Sequence, residues 1–145
     1  MTHPILFVCL GNICRSPAAE GVLRALRPDW RIDSAGTSNW HVGEPPYGPM
    51  QAAAKARGYD LSSLRARQFT AADFTTFSLI LCMDAENLAN VERLRPKGNA
   101  TPVRLFTDYA PEAWADHVPD PYYSRDFDGC LDLIEACAKG LVETA

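Results

Sequence analysis

Apolar positions along this chain alternate between two patterns, unbroken runs of strand length and repeats spaced three or four residues apart. Ile5 to Val8 is an unbroken run and predicts a strand buried on both faces, the habit of parallel sheets. Ser16-Pro17 reads as an N-cap with proline at the first helical position, and Ala18, Val22, Leu23 and Leu26 then repeat at helical spacing. Trp30 to Ser34 predicts a second strand, closed by Ala35-Gly36. Residues 37–49 are rich in Gly and Pro and predict an exposed loop. Met50 to Arg57 is helical, with Gly58 where a C-terminal cap belongs.

Thr70-Ala71-Ala72-Asp73 predicts a capping box that opens a short helix, with Asp in the usual Glu or Gln position. Ser78 to Met83 predicts a third strand, Asp84 the cap of a helix running to Leu94, and Thr101 to Phe106 a weaker fourth strand. Residues 108–125 form a proline-containing segment longer than ordinary connections, which marks it as a place for function. Asp126 caps a last helix with Phe127, Leu131, Ile134, Ala138 and Leu141 on one face. Four strands alternating with helices predict a single-domain α/β fold over residues 1–145, a doubly wound, four-stranded parallel sheet with helices on both faces. Ligands of such sheets sit beyond the carboxyl ends of the strands, so the loop after the first strand is where chemistry is expected.

Composition narrows the class. The chain has 145 residues and a formal net charge of −4, which argues against broad electrostatic binding of nucleic acid. No apolar run approaches the length of a membrane span and no charged-then-apolar leader opens the chain, giving the expectation of a cytoplasmic protein off the membrane. Cys9, Cys14, Cys82, Cys130 and Cys137 are an odd set without paired metal-ligand spacing, so neither a disulfide framework nor a metal site is expected. His3, His41 and His117 stand far apart and read as surface or loop residues.

The first loop, Val8-Cys9-Leu10-Gly11-Asn12-Ile13-Cys14-Arg15-Ser16-Pro17, joins a buried strand to a helix start. Backbone amides wrapped over a helix N-terminus form an anion nest, and Gly11 and Asn12 tolerate the positive φ that a tight wrap needs. Cys9 at the strand end aims its sulfur into that nest, where amides, helix dipole and Arg15 favour the thiolate. Arg15 supplies a planar fork matched to phosphate oxygens. A nucleophile and an oxyanion cradle on one loop suit attack on a phosphate ester. Alone, a Cys-x5-Arg pair is weak, its plain alternative being a buried strand cysteine and a surface arginine; its position between strand and helix start is what gives it weight.

These residues resemble the low-molecular-weight protein tyrosine phosphatases. The loop Val8 to Pro17 is similar to that family's phosphate-binding signature, and Ile32 to Gly36, Asn39 to Gly43, Ala66-Arg67-Gln68, Leu81 to Asp84 and Asp120-Pro121-Tyr122-Tyr123 are similar to family segments in the same order. The resemblance implies the doubly wound fold, Cys9 as nucleophile, Arg15 as phosphate clamp and Asp120 as general acid. It places Leu10, Gly11, Asn12, Ile13, Cys14 and Ser16 around the phosphate, and Asn12, Ser16, Glu20 and Ser34 in a supporting hydrogen-bond network. Leu64 departs from the pattern: many eukaryotic members carry His there, so part of that network must differ. The resemblance implies no cofactor and no metal.

The expected reaction is hydrolysis of phosphotyrosine proteins and small aryl phosphates through a cysteinyl-phosphate, releasing inorganic phosphate, by a monomer. Trp40, Tyr122 and Tyr123 fall on loops expected near Cys9, as flat walls for a phenyl ring or as packing residues. Cys14 is either a small core residue or a redox partner for Cys9. Arg65 and Arg67 are either a solvated face or substrate-recruiting charge. Three rivals remain: an arsenate reductase of the same fold, which needs two further relay cysteines; a non-catalytic phosphotyrosine-binding module, which has no need of both Cys9 and Asp120; and a structural or regulatory protein with no ligand at all.

Overall fold

Strand β1, Ile5–Cys9, is buried along its whole length, as its unbroken apolar run requires. The computed structural model describes residues 4–144, so His3 lies outside the described residues. Three further strands, β2 (Ile32–Gly36), β3 (Leu79–Cys82) and β4 (Val103–Leu105), complete a sheet of order β2-β1-β3-β4 in which every pair is parallel. Helices α1 (Arg15–Leu26), α2 (Gly48–Ala56), α3 (Asp73–Thr76), α4 (Ala85–Glu92), α5 (Pro121–Ser124) and α6 (Phe127–Thr144) connect and flank the strands.

Alternate residues of β1 feed two cores. Ile5, Phe7 and Cys9 join the cluster that includes Val22 and Leu23 of α1 and Leu131, Ile134, Ala138 and Leu141 of α6. Leu6 and Val8 join Phe74 of α3, Val91 of α4 and Ile80 of β3 on the other face. The expected doubly wound sheet is therefore the observed one. Its strand order reverses between β1 and β3, so the chain opens a crevice beyond Cys9 on one side and Asp84 on the other.

Local signals fared unevenly. Asp84 caps α4 by accepting from the Asn87 N–H, Asp126 accepts from the Gly129 N–H, and Gly58 takes φ +92° after α2. Ser16 is not the cap of α1: the helix already begins at Arg15 after Cys14, and the Ser16 hydroxyl is turned toward Cys9 instead. Only half of the box at Thr70 forms, with Asp73 accepting from the Thr70 N–H while α3 starts at Asp73 itself. The long segment after β4 holds two short 3-10 turns, Phe106–Tyr109 and Pro111–Ala113, and then α5.

Helix α6 sits tightly against the first of these turns. A Cβ added at Gly140 would fall onto the Tyr109 carbonyl oxygen, so glycine is needed there for close approach despite its cost within a helix. Gly140→Ala is expected to lower stability by about 1–3 kcal/mol through overpacking, against the gain in helix propensity. Urea denaturation reads this directly, and a variant as stable as the parent would mean that α6 is not seated in this way.

Candidate active site

The loop between β1 and α1 is shaped by where its carbonyls go. Cys9 O accepts from Thr37 N, Leu10 O from Ser38 N and the Ser38 hydroxyl, and Ile13 O from Tyr47 N, at 2.8–3.0 Å. These three carbonyls are bonded outward to residues 37–47, which leaves the inner side of the loop to its N–H groups. Asn12 N–H donates to Cys9 Sγ at 3.2 Å. Asn12 takes the left-handed conformation at φ 56°, whereas Gly11 has no positive φ, so the tight wrap uses one such residue and not two. Gly36 lies directly behind: a Cβ there would meet Leu10 O at 2.8 Å and Asn12 N at 3.2 Å.

Asn12 is 2% exposed and held from three sides. Its Oδ1 accepts from the Arg67 N–H at 3.0 Å, which fixes its Nδ2 as the group facing Ser16 Oγ at 2.8 Å and Ser34 Oγ at 2.9 Å. Ser34 donates onward to Glu20 Oε1 at 2.7 Å. Since Ser16 Oγ accepts from Asn12, its own proton is available to Cys9 Sγ, 2.9 Å away. Burial pushes the Glu20 carboxyl up, opposed by the Ser34 hydrogen bond and by Arg24. The expected supporting set is thus one connected network. It includes no group from Leu64, which packs against the core.

Arg15, 3% exposed, crosses the crevice. Its Nη1 donates to Asp84 Oδ2 at 2.8 Å and to Val118 O at 3.0 Å, while Nη2 reaches Asp120 Oδ2 at 3.4 Å, a long contact. Burial works against the guanidinium charge, but Cys9, Asp84 and Asp120 together hold Arg15 above the ordinary arginine value. Asp84 is itself pinned by the helix it caps, with Oδ1 on the Asn87 N–H at 2.7 Å. Asp120 caps α5 through Tyr122 N–H at 3.1 Å.

A cavity of about 170 Å³ opens over this loop. Cys9, Leu10, Gly11, Ile13, Cys14 and Arg15 form its floor, and Trp40, His41, Asp120, Tyr122 and Tyr123 form its walls. Asn12 and Ser16, expected to touch a ligand, do not line the cavity: their side chains brace the loop from behind. Burial, with the charge of Cys9, pushes the Cys14 thiol up. Trp40 is 66% exposed, Tyr123 71% and Tyr122 40%, and the Tyr122 ring packs at a tilt against Tyr47, 5.0 Å between centroids. Sequence reasoning missed His41 as a wall, Asp84 as the partner of Arg15, and Val118 O. The register that brings residues 84 and 118 to Arg15 has no local signature. Arg67 is engaged with Asp33 and Asp73 at 3.1 and 3.0 Å, and Arg65 bonds the Ser62 and Leu64 carbonyls. Among the described residues no group of three or more His, Cys, Asp or Glu is arranged to hold a metal.

Known proteins resemble this chain over nearly its whole length. The family model described as low molecular weight phosphotyrosine protein phosphatase matches residues 4–145. A putative low molecular weight protein-tyrosine-phosphatase of Synechocystis sp. is 45% identical, over 93% of this chain and 92% of its own. The human low molecular weight phosphotyrosine protein phosphatase is 40% identical, over 99% and 96%. The crystal structure of YfkJ from Bacillus subtilis superposes with a TM-score of 0.92 at 34% identity, covering 99% of this chain and 94% of that one.

Asn12→Ala is expected to cost about 2–4 kcal/mol, combining left-handed strain with partners stranded without bonds. Chemical denaturation measures it, and a loss below about 1 kcal/mol would show that the network carries little of the loop's order.

Proposed function

The chain belongs to the low molecular weight phosphotyrosine protein phosphatases, and from that premise we propose that Cys9, Arg15 and Asp120 carry its hydrolysis of phosphotyrosine through a cysteinyl-phosphate. The observation that carries this reading is Cys9 Sγ lying 3.2 Å from an inward-facing loop N–H and 2.9 Å from the Ser16 hydroxyl, which itself accepts from Asn12. Both contacts would stabilise negative charge on the sulfur as it attacks and, later, as it leaves.

The steps follow from the groups present. Substrate phosphate enters the nest, where loop amides and the Arg15 fork hold its equatorial oxygens in a cradle that needs no reorganisation. Asp84 and Val118 O occupy Nη1, so Nη2 is turned toward the cavity, and phosphate displaces its long contact with Asp120. The Sγ–P bond forms as the P–O bond to the phenol breaks, and Asp120 delivers the proton to the departing oxygen. Asp120, now a carboxylate, takes a proton from water as that water attacks phosphorus. Inorganic phosphate leaves, and Ser16 stabilises the regenerated thiolate. Trp40, Tyr122 and Tyr123 flank the aryl ring, which favours phosphotyrosine proteins over shorter phosphoserine substrates.

Residues 1–145 act as one catalytic unit in this reading, as a cytoplasmic monomer without nucleic acid. No helix among the described residues is long and apolar enough to cross a membrane. An arsenate-reductase relay is disfavoured because Cys82 and Cys137 are fully buried, and burial pushes the Cys137 thiol up to about 12.

Cys9→Ser is expected to abolish turnover, because a serine hydroxyl is a far weaker nucleophile and a poorer leaving group than a cysteine sulfur. Asp120→Asn is expected to slow aryl phosphate hydrolysis by about 10²–10⁴-fold, less when the leaving phenol is already acidic. Full activity of Asp120→Asn on phosphotyrosine at mildly acidic and neutral pH would move the acid elsewhere. Trp40→Ala is expected to raise KM for aryl phosphates by about the factor of ten or less that one aromatic contact provides, sparing small alkyl phosphates. Equal effects on both classes would make Trp40 a packing residue.

A further inference from the structure

We infer that Arg24 is a positioning residue for the Cys9 loop, acting from the protein surface through an unbroken line of five polar contacts. Arg24 Nη2 pairs with Glu20 Oε2 at 2.7 Å, and Glu20 Oε1 accepts from Ser34 Oγ at 2.7 Å. Ser34 Oγ accepts from Asn12 Nδ2 at 2.9 Å, the same amide nitrogen donates to Ser16 Oγ at 2.8 Å, and Ser16 Oγ meets Cys9 Sγ at 2.9 Å. One end of this line is half-exposed, the Arg24 side chain at 50%, and the other is the nucleophile.

The line has a direction. An ionised carboxylate only accepts, so Ser34 must send its proton to Glu20 and turn its lone pairs to Asn12. Asn12 is thereby anchored at φ 56° by Ser34, by Ser16 and by the Arg67 N–H. That polarity is enforced only while Glu20 is charged. Glu20 is 2% exposed, and its surroundings are mixed: Arg24 pairs with it from α1, Ser34 donates to it from β2, Asp33 on β2 opposes its charge and Arg67 supports it. Arg24 is the cation in direct contact. A second bond, Nη2 to Ile32 O at 2.7 Å, fixes the guanidinium on β2 beside the carboxylate.

Without Arg24, Glu20 protonates at higher pH. Ser34 is then no longer obliged to donate to it, Asn12 loses a directed anchor, and the amides that cradle phosphate lose their register. The catalytic loss therefore appears as pH falls and disappears as pH rises. Stability runs the opposite way. A carboxyl whose value is raised by folding stabilises the fold below its unfolded value and loses that contribution as pH rises through the folded one, so removing Arg24 destabilises most at high pH. A purely structural role for Arg24 would make activity follow stability.

The inference rests on Cys9 as the nucleophile, and the experiment separates the two. Wild type, Arg24→Gln, Arg24→Lys, Glu20→Gln and the double variant are assayed on p-nitrophenyl phosphate from about pH 5 to 8, above the ordinary glutamate value. The ratio of kcat in Arg24→Gln to wild type is expected to be near one at the alkaline end. It should fall about threefold to tenfold at the acid end, the size of one weakened hydrogen bond. Arg24→Lys restores it. Glu20→Gln lowers kcat without this pH dependence, and adding Arg24→Gln to it changes nothing further. A pH-independent ratio, an unrescued Lys variant, or an equal Arg24 effect in the Glu20→Gln background overturns the inference. Should Glu20→Gln fail to fold, the pH ratio and the Lys rescue decide. Cys9→Ser that retains turnover would instead overturn the reading of the site itself.

Discussion

Everything in the site depends on one backbone constraint, the left-handed turn of Asn12 whose own N–H points at the Cys9 sulfur. A non-glycine residue adopts that conformation at a cost of roughly 1–2 kcal/mol, so surrounding structure must impose it. Each side of the sheet contributes a restraint: Ser34 from β2, Ser16 from the first turn of α1, and the Arg67 N–H from the segment that pairs with Gly36. Asparagine suits the position because its amide donates twice while its oxygen accepts, and all three interactions are made. Gly36 must lack a Cβ for the loop to lie against it. The turn is thus an outcome of tertiary packing more than of local sequence.

The parallel sheet supplies the rest by its topology. The reversal between β1 and β3 sets the end of one strand opposite the cap of α4, and Arg15 spans the gap to Asp84. Val118 is tied by its N–H to Met83 O at 2.7 Å, so the segment leading to Asp120 is fastened to the same strand end. A buried guanidinium with two committed partners cannot swing away. That fixity suits an arginine to bidentate contact with an anion in the crevice.

Sequence patterns carried the strands and their parallel arrangement because burial on both faces leaves unbroken apolar runs, as at Ile5 to Val8 and Ser78 to Met83. The caps Asp84 and Asp126 were legible because their bonds are local. Ser16 was misread for the same reason: its composition suits a cap, but Cys9 and Asn12 claim its hydroxyl from beyond the helix. Asp84 carried a clear local role that concealed its distant one. The charge on Glu20 was legible only as a residue type, while its pairing with Arg24 one helical turn on could have been seen in the i, i+4 spacing. His41 became a wall of the cavity because loop 37–47 is bonded to the phosphate-binding loop's carbonyls, a contact that no periodicity records.

The central claim is that the amide nest holds phosphate on the sulfur of Cys9. Rapid acid quench of the working enzyme with an aryl phosphate, followed by peptide mass mapping, tests it without intermediaries. A single phosphoryl group is expected on the Cys9 peptide, accumulating when Asp120 is replaced by alanine and the leaving phenol is acidic enough to depart unaided. A phosphoryl group found on another residue, or steady turnover with phosphate passing directly to water and none trapped on Cys9, would contradict it.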